Sequence, residues 1–246
     1  MKKISYLLPN GNNKSTFQPE GAAPAASSLK SSYIKNEEKL SKERGTLNKS
    51  LAHQEIAISS GDDLLVFMGH GRSDALYGAK GKHYNAAGFT DVNALDDIAD
   101  FYNDDSFIDA TTYGLFAGKK ILCFACKSGE LGEKLVNAGA KVVLGFGLLP
   151  TTREEFEDDW NGKCINNRAI DATTGIFDVS FYRALQRTVN SKGNFADLLY
   201  CIKNEIHWHI AMLLYSKARY RYQLANVLYE VEKSVTVSGN SRLPLV

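Results

Sequence analysis

The chain has 246 residues, 44% of them aliphatic or aromatic and 23% charged, a composition suited to a globular protein with a sizeable buried core. Its formal net charge of +1 gives no general attraction for nucleic acid or an anionic membrane, so neither is expected as a partner. The longest apolar runs fall well short of the ~18 residues of a spanning helix, and MKKISYLLPNGNN has too short an apolar stretch for a secretory signal. A cytoplasmic protein with reduced thiols is expected, because Cys123, Cys126, Cys164 and Cys201 form no framework of spacings for disulfides.

In chain order, residues 3–8 (KISYLL) predict a first strand stopped by Pro9, Asn10 and Gly11, followed by a Gly/Ala/Ser/Pro-rich loop over 12–28. From Leu29 to Ser59 the apolar spacing is helical, as one broken helix or two. Gly61 to Asp63 then introduce a strand over 64–68, and LYGAKGKHYN after His70 reads as a small hairpin. An acidic helix over 91–102 serves as the crossover to a parallel strand over 120–125. A helix over 129–138 and a strand over 141–147 complete a βαβαβ outline. Beyond Pro150 the chain turns helix-rich, with helices expected near 176–188 and 194–232 and an edge strand over 234–238. The expectation is one domain over 1–246, with its α/β core in 1–150 and a helical part in 151–246.

Two short runs carry chemistry. DLLVFMGHG ends one strand with His70 between glycines, and KKILCFACKSG ends another with Cys126. Residues just past the carboxyl ends of parallel strands face the crevice where such sheets bind ligands. If the two strands are neighbours, His70 can act as the base that makes a thiolate of Cys126. The amides of Gly71 and Cys126 are the candidate donors to an oxyanion, and Ser128 and Gly129 open a helix whose positive end favours a thiolate.

The pair GHG and ACKSG, the order His then Cys at about 50 residues' separation, and the following strand GAKVVLGFG resemble the caspase-like clan of cysteine peptidases. That clan includes caspases, metacaspases, separase, gingipains and bacterial CHAT domains, and the resemblance covers residues 63–147. It implies a caspase-like three-layer sandwich, a mostly parallel central sheet flanked by helices. It also implies a cysteine endopeptidase acting on protein or peptide substrates through a His70/Cys126 dyad, with Gly71 lining the oxyanion site and no metal or organic cofactor. Compact bacterial members work as effectors switched on by a partner protein, antiviral defence included, so an activating partner is implied too. Where caspases carry Gln-Ala-Cys-Arg-Gly, this chain has Phe124, Ala125, Cys126, Lys127 and Ser128, and metacaspases carry an acid where Phe124 stands. Neither clan member's side-chain preference is therefore inherited.

Phe124 and the acidic residues Glu154, Glu155 and Asp158 are the candidate pocket wall, the acids suited to a basic side chain. Against this, acids at a helix start are favoured by the macrodipole, and Phe67, Phe124 and Phe146 fit a core. Cys123 and Cys126 form C-x-x-C, but a redox pair opens a helix, whereas Cys123 falls within a strand and reads as core. Zinc would need two more ligands, and His207, His209 and Cys164 show no second ligand pair of finger-like spacing. The run KARYRYQ (217–223) mixes cations and aromatics, which fits a packed helix with a cationic outer face, with a partner surface as the alternative. Two other functions stand beside the peptidase: a catalytically silent scaffold with the same fold, and a thiol hydrolase or acyltransferase acting on non-peptide substrates.

Overall fold

The computed structural model describes residues 3–7, 30–33, 53, 56–61, 63–68, 70–77, 106–149 and 167–246. They form an α/β fold built on a mostly parallel sheet. In chain order the elements are β1 (Lys3–Leu7), β2 (Lys30–Tyr33), β3 (Leu64–Met68), β4 (His70–Gly71), β5 (Leu76–Tyr77), β6 (Ser106–Ile108) and β7 (Lys120–Phe124). Helix α1 (Ser128–Asn137), strand β8 (Val142–Gly145), helices α2 (Asn167–Asn190), α3 (Phe195–Tyr215) and α4 (Arg221–Ser234), and strand β9 (Thr236–Gly239) follow.

The sheet runs β2-β1-β3-β7-β8-β9 and is parallel except for β9, which pairs antiparallel with β8. The apolar runs LLVFM, ILCF and VVLG suit strands covered on both faces. Alternation divides their side chains. Leu64, Val66, Leu122, Phe124, Val142 and Leu144 face one core, which α2, α3 and α4 complete with residues such as Phe181, Ile202 and Leu228. Leu65, Phe67, Ile121, Cys123 and Val143 face the other, completed by Leu131 and Leu135 of α1 and by Phe116 of a 3-10 turn (Tyr113–Phe116). Phe67, Phe116, Phe124 and Phe146 are among the largest fully buried side chains or close to it, so the aromatic residues near the strand ends are core.

Two lysines bracket the start of β7. Lys120, 3% exposed, donates from Nζ to the carbonyls of Pro244 (3.1 Å) and Leu245 (3.2 Å), and Lys119 Nζ donates to the carbonyl of Ser59. Buried ammonium groups need such acceptors, since an unpaired one in the interior is costly. The last residues are therefore packed: Leu245 is buried, and its N–H donates to Gly193 O (3.0 Å). They close over the start of α3, where Asn194 and Asp197 form a capping box.

The structure departs from the sequence expectations at several elements. Lys30–Tyr33, inside the segment expected as helix, is strand β2, paired parallel with β1. A short Ser-Ser-Tyr run has no strong helical preference, and a sheet edge overrides it. The helix expected over 194–232 is broken into α3 and α4 with no Pro or Gly at the break. Ser216 makes the stop: its hydroxyl donates to Leu213 O (2.7 Å) and accepts from Ala218 N–H (3.2 Å), replacing helical bonds. Lys217 to Tyr220 thus lie in a turn rather than on a helix face. Residue 77 closes the described part of the small hairpin, and β4-β5-β6 is a separate antiparallel sheet. The expected loop over 12–28 and crossover helix over 91–102 lie outside the described residues. Among the described residues no helix is long and apolar enough to cross a membrane.

On α2, Asp178 has a buried Oδ1 with no hydrogen-bond partner among the described residues, and burial pushes its carboxyl from 3.8 up to about 7. Between those values the folded chain keeps a proton that the unfolded chain releases. The stability contributed by the neutral carboxyl is complete below pH 3.8 and is lost as pH rises through about 7. Asp178→Asn is expected to raise the urea midpoint at pH 8 and to leave it nearly unchanged at pH 4. Equal effects at both pH values would contradict this.

Candidate functional site

The site is set by register. β3 and β7 are adjacent and parallel, and Met68 pairs with Phe124. His70 and Cys126 each follow two residues beyond that pair, at the same end of the sheet. Of His70 the structure describes the backbone, which opens β4. A Cβ built on Gly71 would lie 2.7 Å from Ala125 Cβ and 3.0 Å from Cys126 O, so the chain just after His70 is packed directly against the chain at Cys126. Only glycine permits that approach.

Gly71 is also oriented. Arg72 N–H donates to Ala75 O (2.9 Å), which makes Arg72 and Ala75 a hydrogen-bonded pair closing a two-residue hairpin loop. The next pair, Gly71 and Leu76, is then the non-hydrogen-bonded kind, with the peptide groups of Gly71 turned away from β5. Arg72 Nε to Asp74 Oδ1 (3.2 Å) and the Tyr113 hydroxyl to Asp74 O hold this loop.

Cys126 is half-buried at the edge of the helical-layer core. Its Sγ donates to Leu149 O (3.3 Å) and accepts from Leu149 N–H (3.4 Å), so the backbone that leaves β8 clasps the thiol. Lys127, next in the chain, has φ 55 and ψ 18. A non-glycine residue in that left-handed region is uncommon and is held by its surroundings. Here Lys127 N–H donates to Gly147 O (2.7 Å) and Gly129 N–H to Phe146 O (2.8 Å). Gly147 N–H in turn donates to the hydroxyl of Ser234 at the end of α4 (3.2 Å).

Ser128 braces the whole turn. Fully buried, its Oγ donates to Cys123 O (2.8 Å) and accepts from Phe146 N–H (2.9 Å), joining β7, α1 and the exit of β8. Gly145 lets α1 come this close, since a Cβ there would lie 2.4 Å from Ser128 O.

Of the expected site residues, the structure brings Gly71 and Cys126 into contact and the backbone of His70 beside them. Phe124 is corrected: it is 1% exposed, its ring packed on Phe146 (4.9 Å) and Phe181 (3.8 Å), a core residue rather than a pocket wall. Glu154, Glu155 and Asp158 lie outside the described residues, as does Cys164. Cys123 and Cys126 belong to the two opposite cores, and burial pushes the Cys123 thiol up to about 12. His207 is exposed beside Glu232 (3.4 Å), and burial lowers the pKa of His209. Among the described residues no three His, Cys, Asp or Glu side chains gather as metal ligands.

Sequence reasoning missed the partners of the thiol, Leu149, and the brace, Ser128. Leu149 acts through its backbone and leaves no side-chain signal. Ser128 does leave one, a small hydroxyl at the start of a helix that follows a buried strand.

The arrangement offers a partly accessible thiol at one strand end and the backbone of a histidine at the end of the neighbouring strand. No family model matches the chain, and no curated protein is similar to it.

Two outcomes are expected. Ser128→Ala strands Cys123 C=O and Phe146 N–H in the core, at about 1–3 kcal/mol for each unpaired group, seen as a lower urea midpoint. In the native protein at pH 7.5, about the pH where a free thiol begins to ionise, iodoacetamide modifies Cys126 well before Cys123, read by peptide mass mapping. Comparable rates for the two would contradict the assignment.

Proposed function

We propose that the chain is a caspase-like cysteine endopeptidase, with the three-layer sandwich of that clan as its finer architecture. The observation that carries this reading is the matched offset of His70 and Cys126 beyond the Met68–Phe124 pair, with Gly71 packed against Cys126. His70 takes the proton of the Cys126 thiol as sulfur attacks the scissile carbonyl of a protein substrate. The Gly71 and Cys126 amides stabilise the oxyanion, and His70 returns the proton to the leaving amine. Water, deprotonated by His70, then releases the acyl group. Glu154, Glu155 and Asp158 supply the pocket wall for the substrate side chain. A reducing cytoplasm keeps the thiol available.

One observation favours a second reading. Both polar groups of Leu149 engage Sγ, so the resting thiol already has its partners. A silent scaffold has no need to release it, whereas a regulated effector releases it when a partner protein or the substrate displaces the segment that leaves β8.

Incubation with a diverse peptide mixture, with cut sites read by mass spectrometry, tests the proposal. Cuts made by the wild type are expected to vanish in Cys126→Ala and to fall by at least about a hundredfold in His70→Ala. Cuts that persist in Cys126→Ala would refute it. If no cuts appear and Cys126 alkylation is unaffected by His70→Ala, the scaffold reading stands.

A further inference from the structure

Helix α3 changes character along its length. Its first half buries Phe195, Leu198, Ile202 and Ile206, at the spacing of a stripe facing the sheet. Beyond Ile206 none of residues 207–215 is buried, although the sequence HWHIAMLLY is more apolar than what precedes it. A helix that only had to cover the sheet would turn polar there. Instead Trp208 is 51% exposed, Met212 52% and Tyr215 90%, with Leu214 close behind. Trp208, Met212 and Tyr215 recur at four and three residues, so they share one face. Contiguous exposed apolar side chains of this size mark an interaction surface.

The charge along this stretch of the chain is one-sided. No Asp or Glu occurs between Glu205 and Glu230, while Lys217, Arg219 and Arg221 fill the turn and the start of α4. Lys217 and Arg219 are exposed and Arg221 partly so, and among the described residues no carboxylate pairs with them. The carboxylates of Glu205 and Glu232 are engaged elsewhere, with Arg187 (2.9 Å), Lys203 (3.8 Å) and His207 (3.4 Å). Arg221 lies over the ring of Tyr222, 4.5 Å from its centroid, and Tyr222 is itself 63% exposed.

We propose that the α3–α4 corner is a docking surface for an anionic lipid bilayer, on which Trp208, Met212, Leu214 and Tyr215 enter the interface while Lys217, Arg219 and Arg221 meet the headgroups. Amphipathic Trp and Tyr beside Lys and Arg are the equipment of interfacial anchors, and this helix end lies on a membrane rather than spanning it. The near-neutral overall charge conceals this local cluster. A single-stranded nucleic acid suits the corner less well. It would use the cations and tyrosines but leave Met212 and Leu214 with no base to stack on.

The test uses the full chain with Trp160→Phe, so that Trp208 is the reporting fluorophore. Vesicles of phosphatidylcholine with 30% phosphatidylserine are added, about the anionic fraction that gives a cytoplasmic-leaflet potential. Expected are co-sedimentation and a blue shift of Trp208 emission, both absent with pure phosphatidylcholine. Lys217→Gln/Arg219→Gln/Arg221→Gln is expected to weaken partitioning on the order of a hundredfold. Met212→Ser/Tyr215→Ser is expected to abolish the blue shift, and both variants keep the wild-type circular dichroism. Failure to bind phosphatidylserine vesicles overturns the proposal, as does unchanged binding by either variant. A blue shift that appears without lipid as the protein self-associates assigns the face to a second copy instead. Tighter binding to a single-stranded oligonucleotide than to vesicles, lost in the cation variant, assigns it to nucleic acid.

Discussion

The hydroxyl of Ser128 is the point on which the rest of the structure depends. It satisfies a carbonyl of β7 and an amide at the exit of β8 at once, while fully buried. Buried polar backbone at a strand end must find such partners, and here one small side chain serves two strands. Because α1 starts at Ser128, the same bonds fix where the helix leaves the sheet and hence the turn containing Cys126 and Lys127. The packing of Gly145 against Ser128 belongs to the same constraint, since any side chain at Gly145 would push α1 off the sheet.

The two cores tie this junction to the remainder of the chain. On one face, α2, α3 and α4 share a cluster with Leu64, Val66, Leu122, Phe124, Val142 and Leu144 of β3, β7 and β8. Ser234, at the end of α4, bonds Gly147 directly, so the helical layer touches the turn of the site through backbone as well as through packing. Ion pairs in this layer lie near its surface: Arg187 with Glu205, and Lys203 with Glu232, beside which His207 also lies. Such partly exposed pairs contribute little stability individually and serve chiefly to orient the helices.

What could be read from the sequence was what side chains announce. LLVFM, ILCF and VVLG announced buried strands, and the Gly-His-Gly run announced the end of one of them. Cys123 read as core, and it is. Residues whose part is played by backbone were illegible: nothing in Leu149 foretells its two bonds to Cys126, and nothing in Lys30 to Tyr33 separates an edge strand from a helix start. The break between α3 and α4 was hidden for a related reason. A serine that bonds its own neighbours can stop a helix without the proline or glycine that usually signals one. Phe124 was open to two readings because an aromatic two residues before the cysteine suits a pocket or a core. The rings of Phe146 and Phe181 decide for the core.

The clasp on Cys126 is made by the backbone N–H and C=O of Leu149, which every residue except proline presents. Substitutions at position 149 that keep an apolar side chain for the core leave both bonds to sulfur intact. The segment that leaves β8 can therefore change its apolar side chain at position 149 while the thiol keeps its neighbour. Comparison of sequences alone will underestimate how tightly that segment is tied to the site.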